Sequence, residues 1–226
     1  MKRNNISKET PSYEIIENEK VTEVDIKKAL DLDRKFYNLP DTEQFDIGKC
    51  VRWNKKTNNQ IYTMIKDVST GEVIGYINAA PINNKCYEEI KSGQYPDAEI
   101  NDNDIVAFED PNIHKHYNLY FASIVIDTSK DGFIRFKKLY DAFLDKLINF
   151  TKQNIIISHI IADAVSDEGK RMCMLSGMKK IKDTEHDSSC VFEFELFPPT
   201  FTPRTPKQKE LYNILMEKYK EFESTK

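Results

Sequence analysis

Apolar residues recur at three- and four-residue steps through Phe136, Leu139, Tyr140, Phe143, Leu144, Leu147 and Phe150. That is the stripe of an amphipathic helix with one face against a core. Just before it, Ala122 to Ile126 is a short apolar run with β-branched residues, suited to a buried strand. Asp127 to Gly132 is turn chemistry, closed by the only glycine between Gly93 and Gly169. Strand, tight turn and helix put backbone N–H groups at a helix N-terminus, where an anion such as a phosphate can be held. An ordinary β–turn–α unit carries the same pattern, so this stretch alone leaves both readings open.

The same reading extends over the rest of the chain. Tyr13 to Ile16 suits a first strand, and Thr22 can cap a helix whose apolar positions are Ile26, Ala29, Leu30 and Tyr37, stopped before Pro40. A weaker helix is expected from about Thr42 to Lys55, anchored by Phe45, Val51 and Trp53. Ile61–Lys66 and Val73–Asn78 flank the turn-rich Asp67–Gly71 and read as an antiparallel hairpin. Gly75 inside its second strand marks a bulge or a close backbone approach. Asn84 to Ser92 suits a short helix, but the rest of 83–116 has little periodicity and reads as an insert. Asp97, Glu99, Asp102, Asp104, Glu109 and Asp110 crowd it, either as solvated surface or as a functional segment. Ile155–Ala162 is a near-continuous apolar run, expected to be a strand covered on both faces. Ser166 can cap a helix carrying Met172 and Leu175 and ended by Gly177. Strands then follow from Met178 and over Cys190–Leu196. Thr205-Pro206-Lys207-Gln208 is a capping box opening a charged C-terminal helix with Leu211, Leu215 and Phe222 on one stripe.

Composition narrows the function classes. The chain has 226 residues, 31% charged and 39% hydrophobic, with a net charge of −4, which gives no general argument for nucleic acid or an anionic membrane surface. No apolar run approaches the ~20 residues that span a bilayer, and MKRNNISKETPS lacks a signal-peptide core, so a cytoplasmic location is expected. Cys50, Cys86, Cys173 and Cys190 lie far apart and read as reduced thiols. His114-Lys-His116 has no third ligand at convincing spacing, so no metal site is expected. Metalloprotease, serine-hydrolase, Walker and dinucleotide fingerprints are all absent from the sequence.

The order helix, helix, hairpin, insert, strand, helix, strand, helix and two strands resembles the GNAT N-acetyltransferase family over roughly Val24 to Leu196. Ser123-Ile-Val-Ile-Asp127 looks like that family's central strand. Val165 to Met178 looks like its later helix, usually Asn-x-x-Ala-x-x-Leu-Tyr-x-x-x-Gly-Phe, with Ser166, Gly169, Met172 and Cys173 at the Asn, Ala, Leu and Tyr places and Gly177 matching outright. The resemblance implies an α+β fold, a mixed sheet flanked by helices, with a C-terminal helical extension. Its implied domains are an N-terminal segment 1–20, an acyltransferase domain 21–197 and a connector with helix 198–226.

Acetyl transfer from acetyl-CoA to a primary amine is the activity the resemblance implies. Ile124, Val125 and Ile126 would accompany the pantetheine arm and supply a backbone oxyanion donor. Lys130, Asp131, Gly132, Phe133, Ile134, Arg135 and Phe136 would form the pyrophosphate end, with Ser166 and Gly169 on the later helix. Cys173 stands at the place of the acid that protonates the departing thiolate; Tyr76, Tyr117, Tyr120 and His159 are other candidate acids or bases. The family's phosphate loop usually reads Arg/Gln-x-x-Gly-x-Gly/Ala, whereas here Asp131, Ile134 and Phe136 occupy the Arg/Gln and the two small-residue places. The acceptor implied is a small cationic amine or a lysine-bearing protein, with the chain a monomer or homodimer. A GNAT-like module that binds a ligand or partner without turnover is the alternative.

Overall fold

The computed structural model describes residues 13–37, 46–109, 115–128, 131–185 and 188–225. In chain order the elements are β1 (Tyr13–Glu17), α1 (Glu23–Tyr37), α2 (Ile47–Lys56), β2 (Tyr62–Asp67), β3 (Val73–Ile82) and α3 (Asn84–Lys91). They continue with β4 (Lys115–Ile126), α4 (Gly132–Lys152), β5 (Ile155–Ala164), α5 (Asp167–Ser176), β6 (Lys179–Asp183), β7 (Cys190–Glu195) and α6 (Pro206–Ser224). The strands form one seven-stranded sheet, ordered β1-β2-β3-β4-β5-β7-β6, in which only β4 and β5 run parallel. A parallel pair needs a crossover connection, and α4 supplies it.

Helices cover both faces. On one face Leu139, Phe143, Leu144 and Leu147 of α4 pack with Ile77, Leu119 and Ile157, and Leu211 and Leu215 of α6 join them. On the other, Ile26, Ala29 and Leu30 of α1, Trp53 of α2 and Ile90 of α3 pack with Met64, Tyr76 and Tyr120. Burial on both faces is why β3 and β5 read as continuous apolar runs.

Local chemistry sets the helix ends. Thr22 and Asp25 form a capping box, each side chain accepting from the other's backbone N–H at 3.0 and 3.2 Å. Ser166 Oγ accepts from Gly169 N, and α5 stops at Gly177 in the left-handed region (φ 98°). Thr205 caps α6, but Gln208 reaches back to the N–H of Arg204, one residue earlier than a capping box would have it.

The first strand expected at Tyr13 to Ile16 is present, and Tyr13–Glu17 pairs with β2 along its whole length. Within the insert, Ile100, Ile105 and Phe108 are buried and Ile105 bridges to Ile82. Its acids do structural work: Asp102 accepts from Arg52 and Trp53 at 2.8 Å each, and Asp104 from Asn101 N at 2.9 Å. On α5 the buried face is Cys173 and Ser176, while Leu175 is exposed. The second helix begins at Ile47; Thr42, Phe45 and Pro40 lie outside the described residues, as does Asp110.

Candidate functional site

The site starts from a break in sheet pairing. β4 pairs with β5 from Lys115 to Tyr120 and no further, although β4 continues to Ile126 against β3 and β5 to Ala164 against β7. The two central strands therefore part, leaving the β5-facing edge of residues 121–126 open. Where they part, β4 carries a bulge: Asn78 faces Ser123 and Ala79 faces Phe121, so Ala122 is the extra residue. An inserted residue reverses which side chains point to which face. Leu119 and Phe121 face α4 before the bulge, whereas Ile124 and Ile126 do so after it. Ser123 is thereby turned toward α1, and Val125 packs in the α1-side core.

Two spaces lie at the gap, and Ile124 lines both. A groove of about 380 Å³ lies between the N-terminal turns of α4 and α5, lined by Ile126, Thr128, Gly132, Phe133, Phe136, Gly169 and Met172, with Phe36 from α1. Arg171 and Glu168 are its charged lining residues. A cavity of about 220 Å³ lies on the other side of Ile124, with Phe121, Ala122, Ala162, Cys173 and Met178 as apolar wall and Asp33, Asp97 and Asp163 as carboxylates. No Lys, Arg or His among the described residues lines that cavity.

Asp33 is the buried carboxylate of the set. It accepts from the hydroxyl of Tyr76 and, at 3.1 Å, from Ser123 Oγ; Tyr76 also reaches Ser123 Oγ at 3.1 Å. Burial raises its pKa to about 6, against the two hydrogen bonds, which favour the anion. Asp97 is exposed and accepts from the buried Tyr120 hydroxyl at 3.2 Å. Tyr37, on the last turn of α1, has its pKa raised by burial and by the nearby charges of Asp33 and Asp97.

The comparisons bear on fold. No family model and no curated protein matches the sequence. Among solved structures, the C-terminal condensation domain of Ebony, in complex with β-alanyl-dopamine, matches 83% of this chain and 100% of its own at TM-score 0.51 and 10% identity. A GNAT-family acetyltransferase from Staphylococcus aureus matches 82% of this chain and 99% of its own (TM-score 0.49, 14% identity). The NatB acetyltransferase complex bound to CoA and MES matches 80% and 95% (TM-score 0.48, 12% identity). The match at TM-score 0.51 shows a shared fold, the mixed sheet flanked by helices that the sequence leads one to expect.

The residues expected at the cofactor place part company in the structure. Ile124, Ile126, Gly132, Phe133, Phe136 and Gly169 line the groove together, and Ser166 holds the α5 N-terminus beside it. Val125 and Ile134 do not line it: Val125 is buried on the far face, and Ile134 is exposed. Arg135 is buried and committed elsewhere, donating to Asp127 O at 3.1 Å and to Tyr13 Oη at 3.1 and 3.2 Å, with Asp127 Oδ2 at 3.5 Å. Its guanidinium ties the turn to β1, and it does not line the groove. Lys137 pairs with Asp141 and Lys138 reaches the Tyr13 carbonyl. Lys130 lies outside the described residues. Asp131 is exposed at the α4 N-cap in the left-handed region (φ 48°), without a side-chain capping bond.

The groove's donor chemistry suits an apolar arm ending near helix N–H groups, with Arg171 as its cation, and so fits a CoA thioester. Cys173 does line the cavity, but burial pushes its thiol to about 12. A thiol so raised protonates a departing thiolate less readily than an ordinary cysteine would.

Tyr117 Oη accepts from Glu109 N at 2.9 Å, and His159 Nδ1 pairs with Asn118 Oδ1 at 2.9 Å; neither residue lines the cavity. His116 contacts Ser158 at 2.9 Å, and His114 lies outside the described residues. No group of three metal-ligating side chains occurs among the described residues, and no helix there is long and apolar enough to cross a membrane. The lining residues that the sequence did not single out were Asp33, Asp163 and Arg171. Asp33 had a signal: it stands seven residues after Ile26 and four before Tyr37, a carboxylate inside an apolar stripe.

Proposed function

We propose that this chain transfers an acyl group from an acyl-CoA, acetyl-CoA first, to a primary amine on a small cationic molecule. The parting of β4 from β5 carries the reading, because it sets an apolar groove at two helix N-termini beside an acid-lined cavity, with Ile124 of the parted strand lining both. The bound thioester supplies an activated acyl carbon. The open edge of 121–126 offers backbone N–H groups where negative charge develops on the acyl oxygen. Asp33, in a lining that carries no Lys, Arg or His among the described residues, favours an ammonium-bearing acceptor, and a cavity of about 220 Å³ favours a small one over a protein lysine.

The test is release of free thiol from acetyl-CoA in the presence of a panel of primary amines, with the acylated product identified by mass. Turnover with small amines supports the reading. Absence of turnover, with acetyl-CoA still raising the melting temperature, favours a binding module, a second reading that the exposed Asp131 at the phosphate end supports.

A further inference from the structure

We propose that Asp33 takes the proton from the acceptor ammonium, and that Tyr76 and Ser123 are positioning residues that hold its carboxylate at the cavity. The assignment rests on the acyltransferase reading. Three elements built for other purposes converge on this carboxylate. The α1 stripe carries Asp33 onto the sheet, the all-buried β3 carries Tyr76, and the Ala122 bulge turns Ser123 to the same face. Without the bulge Ser123 would face α4 and the network would lose a member.

Asp33 differs from the other two acids of the cavity. Asp97 is exposed and Asp163 half-buried, whereas Asp33 keeps only 6% of its surface while lining the space where an amine would stand. No Lys, Arg or His among the described residues forms an ion pair with it. The groups around it are hydroxyls and thiols: Tyr76, Tyr62, Tyr37, Ser123 and Cys50. A buried carboxylate held only by hydroxyl donors binds a proton more firmly than an exposed one and still ionises at neutral pH.

The proton count closes. Asp33 takes one proton from R–NH3⁺ and later passes it to solvent. The neutral nitrogen forms the new C–N bond as the C–S bond breaks, and its second proton ends on the sulfur as free thiol. The products are amide, thiol and one proton.

The experiment measures kcat/KM against pH for the wild type and for Asp33→Asn, Tyr76→Phe, Ser123→Ala and the half-buried control Asp31→Asn, with circular dichroism on each. The expected wild-type profile falls on its acid side with a midpoint near pH 6. Asp33→Asn should lose ~10²–10⁴-fold in rate while staying folded. Tyr76→Phe removes a donor that favours the anion, so its acid midpoint should move up by about one unit with the high-pH rate largely kept. A merely structural Tyr76 would lower the rate without moving the midpoint. If folded Asp33→Asn keeps the wild-type rate and profile, the base assignment is overturned and acyl transfer stands. If wild type transfers no acyl group to any amine, the acyltransferase reading and the base assignment fall together.

Discussion

Phe143 and Gly75 show how tightly single residues are held. Phe143 is 2% exposed and meets Phe121 edge-on at 5.0 Å between ring centroids. Truncation to alanine should cost about 3–5 kcal/mol, read from urea unfolding, as for other large-to-small changes in a core. Gly75 faces Ile126 across the β3–β4 pair, and a Cβ there would run into Ile126 Cδ1 and stand 3.1 Å from Val125 O. Gly75→Ala should therefore destabilise by about 1–3 kcal/mol through overpacking; an unchanged midpoint in the same titration would show that Ile126 yields freely.

Asp33 adds a pH signature at this scale. Its folded pKa of about 6 stands above the ordinary 3.8, so the folded state holds the proton more firmly than the unfolded chain. The stability this provides is full below about pH 4 and is lost as pH rises through 6. A rise of about two units corresponds to roughly 3 kcal/mol. The unfolding free energy of wild type minus that of Asp33→Asn should fall by about that amount between pH 4 and pH 7, while groups common to both proteins cancel.

Among the elements, α6 shows what the sequence stripe left undecided. Leu211 and Leu215 are buried against the α4 side of the sheet, and Gln208, 1% exposed, donates to Ser176 O at 3.1 Å and to Tyr140 Oη at 3.4 Å. The helix thus docks on its own chain and ties α4 to the end of α5, while Phe222 is largely exposed. At ~1.5–3 kcal/mol per buried leucine, deletion of 204–226 should remove about 3–6 kcal/mol and lower the melting temperature. An unchanged melting temperature would make α6 an appendage.

At the scale of the whole molecule, the sheet and its helices place two helix N-termini on one groove. Acetyl-CoA binding only the folded state should raise the melting temperature with ligand concentration. Asp131 puts a carboxylate at the α4 N-terminus, where an anion is otherwise favoured. Asp131→Asn should therefore tighten acetyl-CoA binding by less than tenfold in calorimetric titration, since Asp131 is exposed and screened. Equal affinity of the two proteins would show that its carboxylate points away from the ligand.

The sequence by itself determined the elements whose periodicity is local. The α4 stripe, the hairpin, the β5 run and the Ser166 and Thr205 caps were legible because each depends on residues within a turn or two of one another. The turn glycine and the α5 motif also placed most of the groove lining. Tertiary structure alone decided the rest, because it depends on pairing between distant segments. The bulge at Ala122 exists only in the register of β4 on β3, and the gap only in where β4 stops pairing with β5. Asp33 stood in the α1 stripe as a misplaced carboxylate, but its partners lie 43 and 90 residues away in the chain. Arg135 opens a helix, as a phosphate ligand would, and only the folding of β1 alongside brings Tyr13 to its guanidinium. A pattern records which face a residue belongs to; which residue meets it there is settled when the faces come together.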